Sequence, residues 1–527
     1  MIATRESTRP VRRSILSALT ASRAGALLVA VLSAALLATA FPKLGWAWTA
    51  PFALAGLFWS AFTTPAPVRA FAYGYVAGLC YFAIMFSWFG ETAAPLLGPW
   101  GFILILGPAA IEAVAFGATF ALASFVFARA PGAFGPLGAA AAFTACEWLR
   151  SIGAIGAPFA QVGYTQVDGP FAALAAFGGS YFVTFVVAAL GAFVAAGLIE
   201  PADRIRDAVW AIVGIIAVTA AANAFWPARH VPPPTIPVAA IQGNIKQDVK
   251  WNPETFEISL PRYLALTNSL AAVHPVMVLW PETVMTIALG DDSLFAPQDV
   301  RAMRAVREKF SGLARRLRTT LVVGSLELAS DGVHNALFVF GSDGTLQNVY
   351  RKRQLVPFAE GIPWTFLTRL PLPSFAGRQA FGTQPAVVTA GALRFAPLIC
   401  WESAFADLME DQLRRGANLL AIATDDGWFG ETAGPYQHAQ IAQMRAIESG
   451  RWVLRAAATG VSGIIAPNGR WTQRAGLDVE STIAGFVGAP VPTVFARIGP
   501  TPIGAAAIVL YLIALLIGSR PRPTRRS

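Results

Sequence analysis

Residues 393–402 read Leu-Arg-Phe-Ala-Pro-Leu-Ile-Cys-Trp-Glu. The first seven, Leu393 to Ile399, form a short apolar run suited to a buried strand, and the strand stops at a cysteine flanked by an acid. Two neighbouring stretches end the same way. Val276 to Trp280 runs into Pro281-Glu282, and Leu419 to Ala423 runs into Thr424-Asp425-Asp426-Gly427. Further strand candidates are Val238 to Ile241, Leu321 to Leu328 and Ala336 to Phe340, alternating with helical periodicity over 294–318, 403–415 and 436–450. This alternation predicts an α/β domain, in which reactive groups collect at strand ends.

Outward from that stretch the composition changes. The 527-residue chain is 55% hydrophobic and only 13% charged, against roughly 25% charged in ordinary soluble domains. Crossing a hydrocarbon core takes about 20 apolar residues as helix, because unpaired backbone groups are costly in lipid. Such runs lie near 24–41, 48–64, 70–90, 98–129, 131–148, 170–199, 207–226 and 502–519, about eight in all. The expected organisation is therefore multi-domain: a basic N-terminus over 1–23, an all-α transmembrane bundle over 24–226, a soluble α/β domain over 228–500, a last span over 502–519 and a basic tail over 520–527. Pro232 to Pro234 open the insert.

The net charge of +10 reports topology. Arg5, Arg9, Arg12, Arg13 and Arg23 precede the first run, Arg69, Arg129, Arg204 and Arg206 fall in alternate loops, and Arg520, Arg522, Arg525 and Arg526 close the chain; the opposite loops hold Lys43 and Arg150. Basic residues resist translocation, so both termini are expected in the cytoplasm and the insert on the far side of the membrane, which in a bacterium means the periplasm or the outer surface. With the arginines so explained, no nucleic-acid partner is needed. Three cysteines and four histidines without ligand spacing predict neither a disulfide framework nor a metal site.

Four blocks carry a resemblance: Leu-Trp-Pro-Glu at 279–282, Tyr-Arg-Lys-Arg-Gln-Leu-Val-Pro-Phe-Ala-Glu at 350–360, Leu-Ile-Cys-Trp-Glu at 398–402 and Asp-Asp-Gly-Trp-Phe-Gly at 425–430. They resemble, in order, the signature blocks of the nitrilase superfamily, which implies an α-β-β-α sandwich. With the spans, and with Gln242-Gly243-Asn244, Trp251 and Pro158 to Gln166, the whole chain resembles the bacterial apolipoprotein N-acyltransferases.

The residue types suit the chemistry. A cysteine is nucleophilic as thiolate and needs a base or a positive neighbour at neutral pH. Glu282 is the candidate base and Lys352 the neighbour of Cys400. In a strand-like stretch Lys352 faces away from Arg351 and Arg353, so its ammonium can enter a pocket. There, with the backbone N–H of Trp401, it can stabilise an oxyanion. The resemblance implies supporting roles for Glu360 and Glu402. It also marks a departure, Asp425 where asparagine is usual, which is expected to add negative charge.

Trp364 and Phe366, in the aromatic segment 363–381, and Trp428 and Phe429, between Gly427 and Gly430, are expected to form lids toward lipid. The resemblance further implies transfer of an acyl chain from a phospholipid, phosphatidylethanolamine, to the N-terminal amine of a diacylglyceryl-modified apolipoprotein through a thioester, without cofactor. A membrane-anchored amidase and a transporter carrying a binding domain are the rival readings. Inside the bundle Glu112 stands mid-span, and Glu147 lies where it can pair with Arg150.

Overall fold

A computed structural model describes residues 22–199, 201–363 and 379–519. Trp364 and Phe366 therefore lie outside the described residues. The apolar runs form helices Arg23–Ala38, Thr49–Phe62, Pro67–Met85, Leu106–Phe127, Phe134–Leu149, Ala175–Ile199, Pro201–Ala224 and Thr501–Gly518. Among the described residues, five helical segments are long and apolar enough to cross a membrane: Pro67–Met85, Trp100–Phe127, Ala172–Ile199, Ile205–Ala224 and Thr501–Gly518. Arg23–Ala38 and Thr49–Phe62 are apolar but shorter, and Phe134–Leu149 has 16 residues. Length and composition thus support five crossings, fewer than the eight expected.

The third and fourth expected runs also differ in shape. Pro67–Met85 stops before residue 90, a separate helix Trp88–Leu97 follows, and a 3-10 stretch Gly98–Ile105 leads into Leu106–Phe127. Gly98, with φ of +57°, follows the end of the helix Trp88–Leu97, at the point where the fourth expected run begins.

Small residues allow the closest helix contact. A Cβ on Gly74 would lie 2.6 Å from the Phe116 carbonyl oxygen, and one on Gly78 2.7 Å from Phe116 Cβ. The four-residue spacing thus lets Pro67–Met85 meet Leu106–Phe127 backbone to side chain.

The insert is built on two sheets. The first holds β1 (Ile236–Gln242), β2 (Met277–Leu279), β3 (Met285–Gly290), β4 (Thr320–Ala329), β5 (Gly332–Phe340) and β6 (Leu346–Arg351). The second holds β7 (Val388–Ala390), β8 (Leu393–Ile399), β9 (Leu419–Thr424), β10 (Trp452–Ala457), β11 (Ser462–Ile465) and β12 (Trp471–Ala475), in the order β12-β11-β10-β9-β8-β7. The last strand, β13 (Ser481–Val487), returns to the first sheet, whose order is β13-β1-β2-β4-β5-β6, with β3 also on β4. The central trios β1-β2-β4 and β8-β9-β10 are parallel. That is why their sequences are nearly unbroken apolar runs: both faces are covered.

Val238, Leu279, Val322 and Leu337 of one sheet share a buried cluster with Phe395, Ile399, Leu419 and Leu454 of the other. Helices Pro253–Asn268 and Pro297–Leu317 cover the far face of the first sheet through Tyr263 and Phe310. Ala406–Arg414 and Gly434–Ser449 cover that of the second through Met409 and Ala442.

The underside of the insert continues into the bundle. Trp401, Phe405, Phe429 and Met444 belong to the same buried cluster as Phe159 and Trp88. A polar clamp sits beside it. Helix Ala175–Ile199 breaks at Gly178 and Gly179, the latter with φ of +66°. The backbone N–H of Ser180, where the helix resumes, donates to Glu448 Oε1 at 2.7 Å. Arg445 holds the same carboxylate, Nε to Oε2 at 3.1 Å. A carboxylate facing the start of a helical segment is electrostatically favoured.

The Gly74 contact gives a stability test. Gly74→Ala is expected to lower Tm in detergent, with a cost of about 1–3 kcal/mol from overpacking. Gly214→Ala, whose Cβ would meet nothing within 4 Å, should be neutral or mildly stabilising. Equal Tm for the two variants would contradict the packing described.

Candidate functional site

Strand ends supply the chemistry. Cys400 directly follows β8, Lys352 directly follows β6, Glu282 lies just past β2 and Asp425 just past β9. Cys400 opens a short 3-10 turn, Cys400–Ala404, with φ of +50°. A left-handed non-glycine residue costs on the order of 1–3 kcal/mol and persists only where its surroundings fix it.

Lys352 is fully buried, and its Nζ donates to Glu282 Oε1 at 2.9 Å and to Glu360 Oε1 at 2.7 Å. The expected alternation holds: Arg351 turns outward to pair with Glu327 at 2.6 Å, and Arg353 reaches Asp411 at 3.0 Å. Asn335 of β5 completes the pocket, its Nδ2 donating to Glu282 Oε1 at 2.7 Å and to Glu360 Oε1 at 3.3 Å. The backbone N–H of Asp425 donates to Glu282 Oε2 at 2.8 Å. Both oxygens of the candidate base are thereby oriented.

These contacts set the charges. Burial opposes ionisation of Glu282, but the Lys352 ammonium and its hydrogen bond, then Lys250 and Asn335, hold the carboxyl below its ordinary value. Burial works against the Lys352 ammonium too, yet Glu282 and Glu360 hold it well above the ordinary lysine value. Burial, then Glu282, pushes the Cys400 thiol well up, with Lys352 pulling the other way. The resting site therefore holds a carboxylate, an ammonium and a neutral thiol.

Glu402 does not touch Lys352 by hydrogen bond. Fully buried, it accepts from the backbone N–H of Ile399 at 2.7 Å, of Arg353 at 2.6 Å and of Gln354 at 3.3 Å, and from Tyr350 Oη at 3.0 Å. It ties the strand end that carries Cys400 to the segment that carries Lys352.

The negative charge expected of Asp425 is paired: the buried Lys250 holds it and also donates to Thr283 Oγ1 at 2.9 Å and the Glu282 carbonyl at 3.3 Å. A lysine 175 positions earlier offsets the carboxylate, and nothing in sequence spacing announces that pairing.

The aromatic lid residues divide. Phe429 is buried and packs on Trp88 with ring centroids 4.6 Å apart, while Trp428 stays 43% exposed. The Trp428 carbonyl accepts from Thr92 Oγ1, and that of Glu431 accepts from Lys43 Nζ at 2.6 Å. The loop is thus fastened to the bundle. Trp251 remains half-exposed, with Lys250 Nζ 5.5 Å from its ring.

Within the bundle, Arg150 joins both acids, 2.9 Å from Glu112 and 3.6 Å from Glu147. It also donates to the carbonyls of Ala157 at 2.6 Å and Phe159 at 3.0 Å. The Phe159 ring lies parallel to that of Trp401, centroids 4.8 Å apart at 12°, so a polar cluster of the helices shapes the wall next to Cys400.

Sequence reasoning missed Asn335, Lys250 and the buried His438. The first was visible only as a lone amide entering the apolar run Ala336 to Phe340, and the other two carry no local signal.

The carbon-nitrogen hydrolase family profile matches residues 237–487, and the apolipoprotein N-acyltransferase N-terminal domain profile matches residues 33–193. A curated apolipoprotein N-acyltransferase of Azotobacter vinelandii is 32% identical, covering 85% of this chain and 86% of that one. Those of Pseudomonas aeruginosa, at 32% over 87% and 88%, and Shewanella oneidensis, at 30% over 72% of each, are similar as well. A solved amidase of the nitrilase superfamily from Nesterenkonia aligns at 17% identity and TM-score 0.38, over 52% of this chain and 98% of that one.

A carbon-nitrogen hydrolase domain joined to a bundle of apolar helices defines the class as a nitrilase-superfamily enzyme of the membrane. More narrowly, the chain belongs to the apolipoprotein N-acyltransferase family.

Glu402→Ala would leave three backbone N–H groups without their acceptor, each worth about 1–3 kcal/mol when buried. The expected outcome is a Tm several degrees below the parent with activity clearly reduced. Unchanged thermal unfolding in detergent would show that Glu402 does not tie the two segments.

Proposed function

We propose that this protein transfers a fatty acyl chain from a phospholipid to the N-terminal amine of an S-diacylglyceryl apolipoprotein, with Cys400 as nucleophile. The observation that carries the reading is Lys352, bridging Glu282 and Glu360 beside a buried cysteine. In the first half-reaction Glu282 takes the thiol proton as Cys400 Sγ attacks the ester carbonyl. The developing oxyanion is met by the Lys352 ammonium and the Trp401 backbone N–H. The ester C–O bond then breaks, Glu282 returns the proton to the departing glycerol oxygen, and a lysophospholipid leaves.

In the second half-reaction the apolipoprotein amine attacks the thioester. Glu282 accepts the amine proton and delivers it to the departing sulfur, so that an amide forms and the thiol is restored. Cys400, only 7% exposed, holds the intermediate where water is scarce. That placement favours transfer to an amine over hydrolysis.

The donor is proposed to be phosphatidylethanolamine, and the acceptor's lipid to lie in the same leaflet. The arginine distribution supports cytoplasmic termini and a periplasmic α-β-β-α catalytic domain over 228–500, between a bundle of seven spans and a last one, in a bacterial inner membrane.

Purified protein in detergent, given a fluorescent phospholipid and a diacylated lipopeptide, is expected to yield the N-acyl peptide; free fatty acid as the sole product would identify a hydrolase instead. Cys400→Ala should abolish transfer and the acyl adduct seen by intact-protein mass spectrometry. Glu282→Gln should lose about 10²–10⁴-fold, and Lys352→Ala about 10²–10³-fold.

The pH profile follows from the sign of the Glu282 shift. The base works when ionised, and its pKa lies below the ordinary 4.5. Acyl-enzyme formation, the half-reaction in which no acceptor amine takes part, should therefore hold through the neutral range and fall only as pH drops below 4.5. An acid limb centred near pH 6–7 would rule out Glu282 as the group that titrates.

A further inference from the structure

At the carbonyl of Cys400 lies a second polar chain that the mechanism above leaves unused. Arg455 Nη2 donates to Asp426 Oδ2 at 2.6 Å, and His438 Nδ1 lies 2.8 Å from Asp426 Oδ1. Thr424 Oγ1 donates to that same Oδ1 at 2.8 Å. From the far edge of the imidazole, Nε2 lies 2.8 Å from Ser403 Oγ and 3.1 Å from the carbonyl oxygen of Cys400, to which Ser403 Oγ donates at 2.8 Å. His438, Asp426, Arg455 and Ser403 are all buried. Two aromatic rings wall the imidazole, Phe159 at 5.8 Å and Phe429 at 5.9 Å between centroids. His438 and Ser403 thus meet on a single carbonyl, with Asp426 anchoring His438 and itself held by Arg455 and Thr424.

That carbonyl belongs to the peptide joining Cys400 to Trp401. A trans peptide is planar, with its C=O and N–H pointing to opposite sides. Fastening the oxygen toward His438 and Ser403 therefore turns the Trp401 N–H to the other side. The left-handed φ of Cys400, +50°, sets the same plane and needs surrounding contacts to persist. On the next residue the Trp401 indole is held parallel to Phe159.

We propose that His438, anchored by Asp426 and Arg455 and acting with Ser403, is a positioning residue that aims the Trp401 backbone N–H at the oxyanion formed on the acyl carbonyl. The inference rests on Cys400 being the nucleophile. His438 itself touches neither substrate nor sulfur; it acts through the peptide it holds.

The test separates orientation of the oxyanion donor from nucleophilicity and from general damage. Full-length His438→Ala, His438→Gln and Ser403→Ala are purified in detergent. For each, kcat and KM for N-acylation of a diacylated lipopeptide are measured. So is the rate of alkylation of Cys400 by iodoacetamide, followed by peptide mapping so that Cys80 and Cys146 do not contribute. Alkylation at a methylene carbon develops no oxyanion, whereas acylation does.

The expected result for His438→Ala is a kcat lower by about 10²-fold, the scale of one lost oxyanion donor, with KM and the alkylation rate within about threefold of the parent. Ser403→Ala, which leaves the buried charges intact, should lose about tenfold in kcat. His438→Gln, which retains an amide donor, should recover part of the loss.

Parental kcat in both His438→Gln and Ser403→Ala would overturn the proposal. So would a fall in alkylation that parallels the fall in kcat, since that marks a merely structural role. Acyl transfer surviving Cys400→Ala would instead overturn the underlying reading of the nucleophile.

Discussion

An ammonium taken out of water must be matched by carboxylates, and the matching of Lys352 organises the centre of the insert. Stripping water from an ion costs several kcal/mol, recovered only with close partners and good geometry. Glu282 and Glu360 supply them at 2.9 and 2.7 Å. Each acid is in turn fixed: Glu282 by Asn335 and the Asp425 N–H, and Glu360 by the backbone N–H of Val356 at 2.8 Å. Ends of strands from both sheets are thereby drawn to one point, and a cysteine at the end of β8 arrives there beside a fixed positive charge.

A second matched pair repeats the logic at the edge of the site. Lys250 and Asp425 face one another as a buried ion pair, so the carboxylate at 425 meets a cation brought from far along the chain. Lys250 also helps to keep Glu282 ionised.

The α/β character and the candidate site were legible in the sequence because parallel strands buried on both faces need uninterrupted apolar runs, and because such runs stop abruptly at residues of another kind. Leu393 to Ile399 matches β8 to the residue. The edge strands β6 and β12 were not legible, since half-exposed strands such as Leu346–Arg351 mix polar and apolar residues without a clean period. Among the helices, the expected runs 70–90 and 98–129 left out 91–97, which belongs to the separate helix Trp88–Leu97, and did not show that Gly98–Ile105 is a 3-10 stretch. The pairings of Lys250, Asn335 and His438 were beyond reach for a different reason. Each depends on strand order, which places side chains together regardless of their separation along the chain.

The stack of Phe159 on Trp401, and the cap that Glu448 places on Ser180, mean that the α/β part has no finished lower surface of its own. Cut free of the helices, it would bare Trp401, Phe405, Phe429 and Met444 to water and leave the Glu448 carboxylate without its Ser180 donor. What looks on paper like a detachable module is one half of a single body, and its floor is supplied by the lipid-embedded half.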